Sequence, residues 1–354
     1  MNTKRWVAGF LILTALLLIL GAAPTVIVDP YFHFHKPLPQ LNYPMDNQRY
    51  QNDGILKNFS YDAVITGTSM TENFKTSEMD ALFGTKAVKT CYSGASFREI
   101  RDALENAFRA NPDIKYVVRG IDCNRISNHK DEMGYEEGSY PSYLYDWNPL
   151  NDVFYVFNTH VLFGDTVRVL AYTLAGIEGT TFDEYSNWQH KYEFGEKAIK
   201  AGYTRSEKTD AARAVLESER LKMRENIEQN LIRQAAEHPD TQFYYFITPY
   251  SILWWDEINQ TGELQWYITM MEEASELMAA YDNIHLFSFF DVPEIVCDLD
   301  NYHDIAHYGE TVNSMILQWM RSDEHRLTPD NNKAHWDFVR QFYGSYPYDA
   351  LHQQ

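Results

Sequence analysis

Residues 63–70, AVITGTSM, predict a short buried strand that ends in a Gly-x-Ser turn. Apolar and β-branched residues favour the strand, and glycine followed by small polar residues favours the sharp turn. A second segment, residues 304–307 (DIAH), precedes the last strongly periodic helical stretch. The two segments supply a serine, a histidine and an acid, the set with which an imidazole activates a serine hydroxyl as a nucleophile.

Each of these residues also has an ordinary structural interpretation. Serine in such a turn commonly caps a helix, and Asp304 and His307 could be an N-cap and a loop histidine before the last helix. The order of the two segments along the chain agrees with the strand pattern described below. That agreement favours the catalytic interpretation.

The Gly-x-Ser turn after the first predicted strand and the C-terminal Asp-x-x-His resemble the first and last sequence blocks of the SGNH (GDSL-like) hydrolase superfamily. The resemblance covers residues 60–322. It implies a three-layer, flavodoxin-like α/β fold around a parallel sheet, with Ser69 as nucleophile, His307 as base and Asp304 as the acid that orients the base. The chain departs from the family pattern at Thr68, where the family usually has Asp.

The resemblance also implies an oxyanion hole formed by Ser69, Gly94 and Asn124. Gly94 follows the second predicted strand, where the family has a glycine that lets a backbone N–H approach the oxyanion. The third block of the family is normally Gly-x-Asn-Asp, whereas residues 120–124 read GIDCN. Asn124 is therefore offset from the usual position, and Asp122 in that position would repel an oxyanion.

Strand and helix signals alternate along most of the chain. Apolar residues at helical spacing occur in residues 97–107, 223–235 and 312–319. Strands are predicted at 62–66, 86–91, 115–121, 241–248 and 284–289. Alternating β and α elements of these lengths predict a parallel sheet covered on both faces, with catalytic groups at the carboxyl ends of strands.

The chain also contains segments outside this alternation. Within the predicted catalytic domain, residues 125–205 form an aromatic-rich insertion that could be a lid, a polymer-binding wall or simply core, and 153–175 indicate a buried or membrane-facing helix. The predicted organisation is a cytoplasmic stub (1–5), a transmembrane anchor (6–28), an irregular stalk that packs on the domain (29–59), the catalytic domain (60–322) and a C-terminal surface extension (323–354). The extension contains a short amphipathic piece around Trp336, Val339 and Phe342.

The N-terminus predicts a membrane segment. Residues 6–28 carry no charge, and this uncharged segment is long enough to span a bilayer. Lys4 and Arg5 before it favour a cytoplasmic N-terminus with the main domain outside. A signal peptide cleaved near residues 21–23 (GAA) and a buried core helix are the alternatives. The formal net charge of −20 argues against binding to nucleic acids or anionic lipids through a basic surface.

Two rival functions remain. Residues 303–307 (HDIAH) have the two-histidine spacing of a zinc helix, which would indicate a metallohydrolase, although Tyr308-Gly309 suggests that the helix begins later. The other rival is a non-catalytic envelope assembly or binding protein. The three cysteines, residues 91, 123 and 297, predict free thiols or at most one disulfide and no cysteine zinc site.

The resemblance and the anchor together lead us to expect an extracytoplasmic serine esterase or O-acyltransferase that acts on an acylated cell-envelope glycopolymer or another ester. Anchored proteins of this type include hydrolases and the acyl-transfer partners of multipass membrane acyltransferases, so such an enzyme is a candidate partner. The same triad serves both reactions. No cofactor and no metal are expected.

Overall fold

The structure is a computed structural model that describes residues 3–135, 138 and 140–353. The chain divides into two compact units. The helical unit runs from the N-terminus to Ser60 and includes Tyr135–Thr181. The sheet unit consists of Tyr61–Gly134 and the chain from Phe182 to the C-terminus. Residues 135–181 of the predicted insertion therefore belong to the helical unit, and the rest of it belongs to the sheet unit.

The sheet unit contains a six-stranded, mostly parallel sheet. Its strands are β1 (Ala63–Gly67), β2 (Ala87–Cys91), β3 (Tyr116–Ile121), β4 (Gln242–Ile247), β5 (Ile284–Ser288) and β6 (Arg326–Leu327). They lie in the order β2-β1-β3-β4-β5-β6, and only the pairing of β5 with β6 is antiparallel. The five predicted strands are confirmed to within two residues at each end, whereas β6 was not predicted.

The parallel register brings the carboxyl ends of the central strands to one edge. Gly67 at the end of β1 pairs with Cys91 at the end of β2, and Ile121 at the end of β3 pairs with Ile247 at the end of β4. Every residue of β1 is buried, as expected for a central strand covered on both faces. The segments that leave this edge are therefore placed to share one site.

Helices make up most of the remaining structure of both units. They are α1 (Thr3–Val28), α2 (Gln48–Asn58), α3 (Thr76–Phe83), α4 (Phe97–Ala110), α5 (Ser142–Tyr145), α6 (Val153–Val156), α7 (Thr166–Ala175), α8 (Glu196–Gly202), α9 (Glu217–Ile227), α10 (Arg233–Glu237), α11 (Ile252–Gln260), α12 (Leu264–Ala279), α13 (Pro293–Val296), α14 (Glu310–Ser322) and α15 (Asn332–Gly344). π-helical segments, Val161–Asp165 and Glu228–Ile232, lead directly into α7 and α10. Short 3₁₀ turns occupy Ser69–Thr71, Cys123–Arg125, Gln189–Lys191, Leu299–Asn301 and Tyr348–His352.

The predicted helical stripes lie on real helices of the sheet unit. On α4, the stripe of residues 97, 100, 104 and 107 is buried, and Ser96 caps the helix by accepting a hydrogen bond from the Glu99 N–H at 3.2 Å. The stripe of residues 223, 227, 231 and 235 is buried along the continuous helical stretch from α9 to α10. These faces form the apolar core next to the sheet.

The prediction that the stalk is irregular is wrong, because residues 29–59 contain α2. Because this helix contains several Gln, Asn and Asp residues, apolar periodicity does not predict it, yet residues 51–56 are buried. Gly54 lies against the backbone of the neighbouring segment, where an added Cβ would come within 2.1 Å of the Tyr31 carbonyl oxygen. Polar residues here fill a packed position and do not indicate exposure.

The prediction that the C-terminal tail lies on the surface is wrong, whereas the amphipathic piece around Trp336 and Val339 is confirmed in this tail. It adds β6 to the sheet and then forms α15, whose Trp336, Val339 and Tyr343 are fully buried. The Trp336 indole N–H donates a hydrogen bond to Ser275 Oγ on α12 at 2.8 Å. The tail is therefore part of the core of the sheet unit.

The three cysteines are free thiols, which is one of the two alternatives that the sequence left open.

Candidate active site

Ser69 lies on a tight turn directly after β1. Gly67, the last residue of β1, has φ 143°, and an added Cβ there would come within 2.7 Å of the Thr71 side chain. The Thr71 hydroxyl donates a hydrogen bond to the Thr68 carbonyl oxygen at 2.8 Å and closes the turn. Glycine is therefore required at position 67, both by the backbone conformation and by the space that Thr71 fills.

A buried lysine of β2 holds the segment that follows the serine. Lys89 Nζ donates hydrogen bonds to the carbonyl oxygens of Glu72 at 2.6 Å and Phe74 at 2.8 Å. Burial lowers the pKa of Lys89 to about 8. These contacts fix the path of the chain after Ser69, and sequence reasoning missed them because a lysine within a strand gives no signal of this role.

The loop of Asp304 and His307 folds around its own carboxylate. Asp304 Oδ1 accepts hydrogen bonds from the backbone N–H groups of Ala306 at 2.8 Å and His307 at 2.7 Å. The Ser251 hydroxyl donates to the Ile305 carbonyl oxygen at 2.7 Å and fixes the loop from outside. Both contacts hold the loop in a non-helical conformation.

The helix after this loop, α14, begins at Glu310. The expectation that the helix starts after the HDIAH segment is therefore confirmed. His303 and His307 do not lie on successive turns of one helix, which is the arrangement that the zinc reading requires.

Ser69, His307 and Asp304 form a continuous hydrogen-bond chain. Ser69 Oγ lies 2.8 Å from His307 Nε2, and His307 Nδ1 lies 2.8 Å from Asp304 Oδ2. An ionised carboxylate only accepts, so Nδ1 carries the proton in the neutral ring and Nε2 accepts from the serine hydroxyl. The structure thus brings together the three residues that the sequence predicted as a triad.

The charges around this hydrogen-bond chain raise the pKa of His307 and so favour its protonated form. Burial alone would lower the pKa of His307, but the hydrogen bond and charge of Asp304, with smaller contributions from Asp122 and Glu72, raise it above its ordinary value. Burial would raise the pKa of Asp304, yet the hydrogen bonds from His307 and the loop amides hold it well below its usual range. Asp304 therefore stays anionic while His307 is able to accept a proton.

Asp122 is a second carboxylate that acts electrostatically on His307, and it is buried directly after β3. Its Oδ2 accepts a hydrogen bond from the Thr68 hydroxyl at 2.8 Å and its Oδ1 accepts one from the Tyr250 hydroxyl at 2.9 Å. Burial raises the pKa of Asp122, and the two hydroxyl hydrogen bonds oppose that rise. An aspartate at position 68 would place a second carboxylate against Asp122, so threonine at 68 and aspartate at 122 fit each other.

The two remaining oxyanion candidates lie on loops beyond β2 and β3. Gly94 has φ 68°, a conformation that favours glycine, and its carbonyl oxygen accepts a hydrogen bond from Arg125 Nη2 at 3.2 Å. Asn124 lies in the turn Cys123–Arg125 with an exposed side chain. Arg125 therefore links the two loops, and the roles of Gly94 and Asn124 in an oxyanion hole stay predictions.

Trp188, which sequence reasoning did not single out, packs directly on the triad. Its indole N–H donates to the Ser69 carbonyl oxygen at 3.1 Å, and its backbone N–H donates to Asn73 Oδ1 at 2.9 Å. Its ring lies edge-on to His307 with centroids 5.7 Å apart. The only sequence signal was its place in the aromatic-rich insertion, which does not distinguish one ring from another.

Two further rings form a stack that starts at His307. The ring of His303 stacks on His307 at 5.2 Å and on Tyr192 at 4.3 Å between centroids. Tyr192 remains 55% exposed. An accessible aromatic ring therefore lies at the far end of a stack that leads away from His307.

His303, Asp304 and His307 together have the composition of a small metal site. Ligand atoms of His303, Asp304 and His307 lie within 4.8 Å of one another. Both ring nitrogens of His307 already face other partners, Ser69 and Asp304. A metal ion bound to His307 would have to displace one of these partners, so the donor set fits a proton-transfer chain better than a zinc centre.

Comparisons with known proteins add little to this geometry. No model of a known protein family matches the chain, and no curated protein matches it. Among solved structures, the chain is similar to a protein from Streptococcus pneumonia described as a proposed platelet activating factor, at 12% identity over 78% of this chain and 90% of that chain. The TM-score of 0.38 is too low to support a statement about fold or function.

Proposed function

We propose that the protein is an SGNH-like serine esterase or O-acyltransferase. The observation that carries this proposal is the unbroken chain from Ser69 Oγ through His307 to Asp304, with each link 2.8 Å long. The order β2-β1-β3-β4-β5 also supports it, because this is the strand order of flavodoxin-like sheets, in which sites form at the carboxyl ends of strands.

In this mechanism Ser69 Oγ attacks the carbonyl carbon of an ester while His307 Nε2 takes the hydroxyl proton. Asp304 stabilises the imidazolium that forms. Collapse of the tetrahedral intermediate breaks the bond to the alcohol oxygen, and His307 returns the proton to that oxygen. An acyl-serine remains. Water or a sugar hydroxyl then gives its proton to His307 and attacks the acyl carbon. The bond between the acyl carbon and Ser69 Oγ breaks, and His307 returns the proton to Oγ.

An acylated glycopolymer is the substrate class that we propose. The site is accessible, since the side chains of His307 and Asp304 are 29% and 44% exposed. A polymer substituent can reach a site of this kind more easily than an enclosed cavity. The exposed ring of Tyr192 provides a flat apolar surface near the base, of the type that packs on the face of a sugar. A multipass membrane acyltransferase would be the partner if transfer is the reaction.

We further propose that α1 anchors the protein in the membrane with the sheet unit outside the cytoplasm. The helix is long and apolar enough to cross a bilayer, and a signal sequence would share these properties. Lys4 and Arg5 precede the apolar run, which favours a cytoplasmic N-terminus. Protease added to intact protoplasts should therefore degrade the sheet unit, and protection from that protease would contradict this orientation.

The catalytic proposal is tested by replacing the serine. Ser69→Ala should lower the turnover of an aryl acetate at least about 10³-fold without unfolding the protein, because a small side chain on a turn contributes little packing. Ser322→Ala, which removes an exposed hydroxyl at the end of α14, is the matched control and should retain wild-type turnover. Wild-type turnover by Ser69→Ala would show that the serine mechanism is wrong.

A chelator separates the zinc alternative. Turnover by the serine mechanism should persist after treatment with EDTA, because no step uses a metal. Complete loss of turnover on chelation, restored by zinc, would favour the metallohydrolase.

Absence of turnover on a panel of acetyl esters and acylated polymers, together with no labelling of Ser69 by a fluorophosphonate, would favour the non-catalytic envelope protein.

A further inference from the structure

The helical unit exposes an unusual apolar stripe. Residues 159–175 form one continuous helix through the π-helical segment and α7. Phe163, Val167, Leu170 and Leu174 recur on it at spacings of four, three and four residues, and they are 71%, 50%, 39% and 89% exposed. Spacing of this kind places four large apolar side chains on one face of a helix, and here that face points away from the protein.

A second face of the same helix performs the ordinary packing role. Val161, Thr166 and Val169 are buried within the helical unit. The two charged residues of Val161–Ala175 are also used internally: Asp165 accepts a hydrogen bond from the Tyr31 hydroxyl at 2.6 Å, and Arg168 pairs with Asp46 at 2.8 Å. The exposed stripe is therefore additional to the face that holds the helix in place.

The stripe belongs to a group of helices that packs on the C-terminal part of α1. Helices α6 and α7 both contact α1, and Gly21 of α1 lies against the ring of Phe157. Ala22 and Val26 pack on the buried cluster that contains Tyr155. Phe154 beside this contact is 63% exposed. The apolar surface is thus continuous with the helix that is long enough to span a membrane.

The geometry of α1 sets the depth at which this contact lies. Residues 3–20 make up the part of α1 that is almost entirely exposed, and this part is about 27 Å long at 1.5 Å per residue. The hydrocarbon core of a bilayer is about 30 Å thick. If residues 3–20 cross that core, the contact at Gly21 lies where the outer leaflet meets its headgroups.

We infer that α6 and the helix of residues 159–175 insert their exposed apolar face into the outer leaflet of the bilayer. Lipid is the occupant because the surface adjoins a membrane-spanning helix at this depth and carries no free charge along the stripe. Exposed apolar patches of this kind mark interaction sites in proteins. The inference depends on the membrane anchoring proposed above and is independent of the esterase activity.

Insertion would couple the helical unit to the membrane surface at more than one point. A single spanning helix leaves its domain free to tilt. A second apolar helix lying in the interface adds buried area and restricts that motion. The net charge of −20 means that this attraction rests on apolar burial, so it should persist on uncharged lipid.

Fluorescence quenching tests this inference in the full-length protein. Single cysteines at Leu174, at Leu13 of α1 and at Leu221 of α9 would carry an environment-sensitive dye, in a Cys297→Ser background because Cys91 and Cys123 are buried. The protein would be placed, one copy per disc, in phosphatidylcholine nanodiscs with nitroxide lipids. Leu221 is a matched control, being a 56% exposed leucine of the sheet unit.

The label at Leu174→Cys should show a blue-shifted emission, loss of fluorescence with a shallow nitroxide lipid, and protection from aqueous iodide. The label at Leu221→Cys should show the reverse. A Leu174 label that iodide quenches would overturn the inference, as would one protected from iodide but not quenched by the lipid, which would indicate a protein partner. A Leu13→Cys label outside the lipid would instead overturn the anchor itself.

Discussion

The two halves of the candidate site differ in completeness. On the proton-transfer side, Ser69, His307 and Asp304 are joined by short hydrogen bonds and held by loop contacts. On the oxyanion side, Asn124 is exposed and Gly94 lies on an open loop. Acid–base chemistry needs a few side chains that short motifs specify, whereas an oxyanion hole depends on backbone directions and neighbours that such motifs do not fix.

Asp122 is relevant to both halves, because it directly precedes the turn that contains Asn124 and contributes to the raised pKa of His307. An anion at this position stabilises the imidazolium of His307, but it would repel a developing oxyanion if it faced one. Both of its oxygens instead accept hydrogen bonds from Thr68 and Tyr250. Its charge contributes to the raised pKa of His307, so we expect it to act on the proton-transfer side.

The largest effect should follow loss of the base. His307→Ala should abolish turnover of an acetyl ester, by at least about 10³-fold, because Ser69 then has no proton acceptor. His303→Ala should be mild, since the ring of His303 only stacks on His307 and lies 3.8 Å from Asp304 Oδ2, beyond hydrogen-bond distance, while its backbone hydrogen bond to the His307 carbonyl survives the substitution. Steady-state rates of both variants, with folding checked by circular dichroism, measure the difference. Equal and total loss in the two variants, with loss of bound metal, would contradict the triad.

A slightly smaller loss should follow Asp304→Asn. The variant keeps the shape of the side chain but removes the charge that raises the pKa of His307, and the ring can then adopt the wrong tautomer. We expect turnover to fall by about 10⁴-fold at neutral pH, compared with about 10⁶-fold when the base itself is removed. Wild-type rates for Asp304→Asn would show that Asp304 only shapes its loop.

Asp122→Asn should have a moderate effect with a distinctive pH signature. The neutral form of His307 acts as the base, so kcat/KM should rise as pH increases through its raised pKa and then level off. Loss of the Asp122 charge lowers that pKa and should move the acidic limb to lower pH. The plateau should fall only about tenfold, which corresponds to about 1.4 kcal/mol.

Asp240→Asn is a matched control for that experiment, because it removes an exposed carboxylate of the sheet unit. Its pH profile should coincide with that of the wild-type protein. If the acidic limb of the pH profile of Asp122→Asn coincides with that of the wild-type protein, Asp122 is uncharged in the active protein or does not act on His307.

The smallest effect should follow Asn124→Ala. An exposed amide competes with water for its hydrogen bonds, so its removal should change kcat by less than about tenfold, compared with about 10²- to 10³-fold for a true oxyanion-hole donor. Measurement of kcat on an acetyl ester decides between these values. A loss of the larger size would restore Asn124 to the oxyanion hole and make the two halves of the site equally complete.

The sequence predicted the elements whose patterns are local. The five parallel strands and the stripe of α4 follow from apolar periodicity, and the triad follows from two short motifs. The helix α2 could not be predicted, because its polar residues are buried by contacts distant in sequence. Lys89 and Trp188 were missed for the same reason: their roles depend on backbone carbonyls that only the folded chain brings to them.

The central claim, that Ser69 is a nucleophile activated by His307, is tested most directly by mass spectrometry after treatment with a fluorophosphonate. We expect one covalent adduct on the peptide that contains Ser69, loss of ester turnover in proportion to labelling, and no adduct in Ser69→Ala or His307→Ala. Ester turnover that persists without an adduct at Ser69, or an adduct on a different residue that abolishes it, would contradict the account.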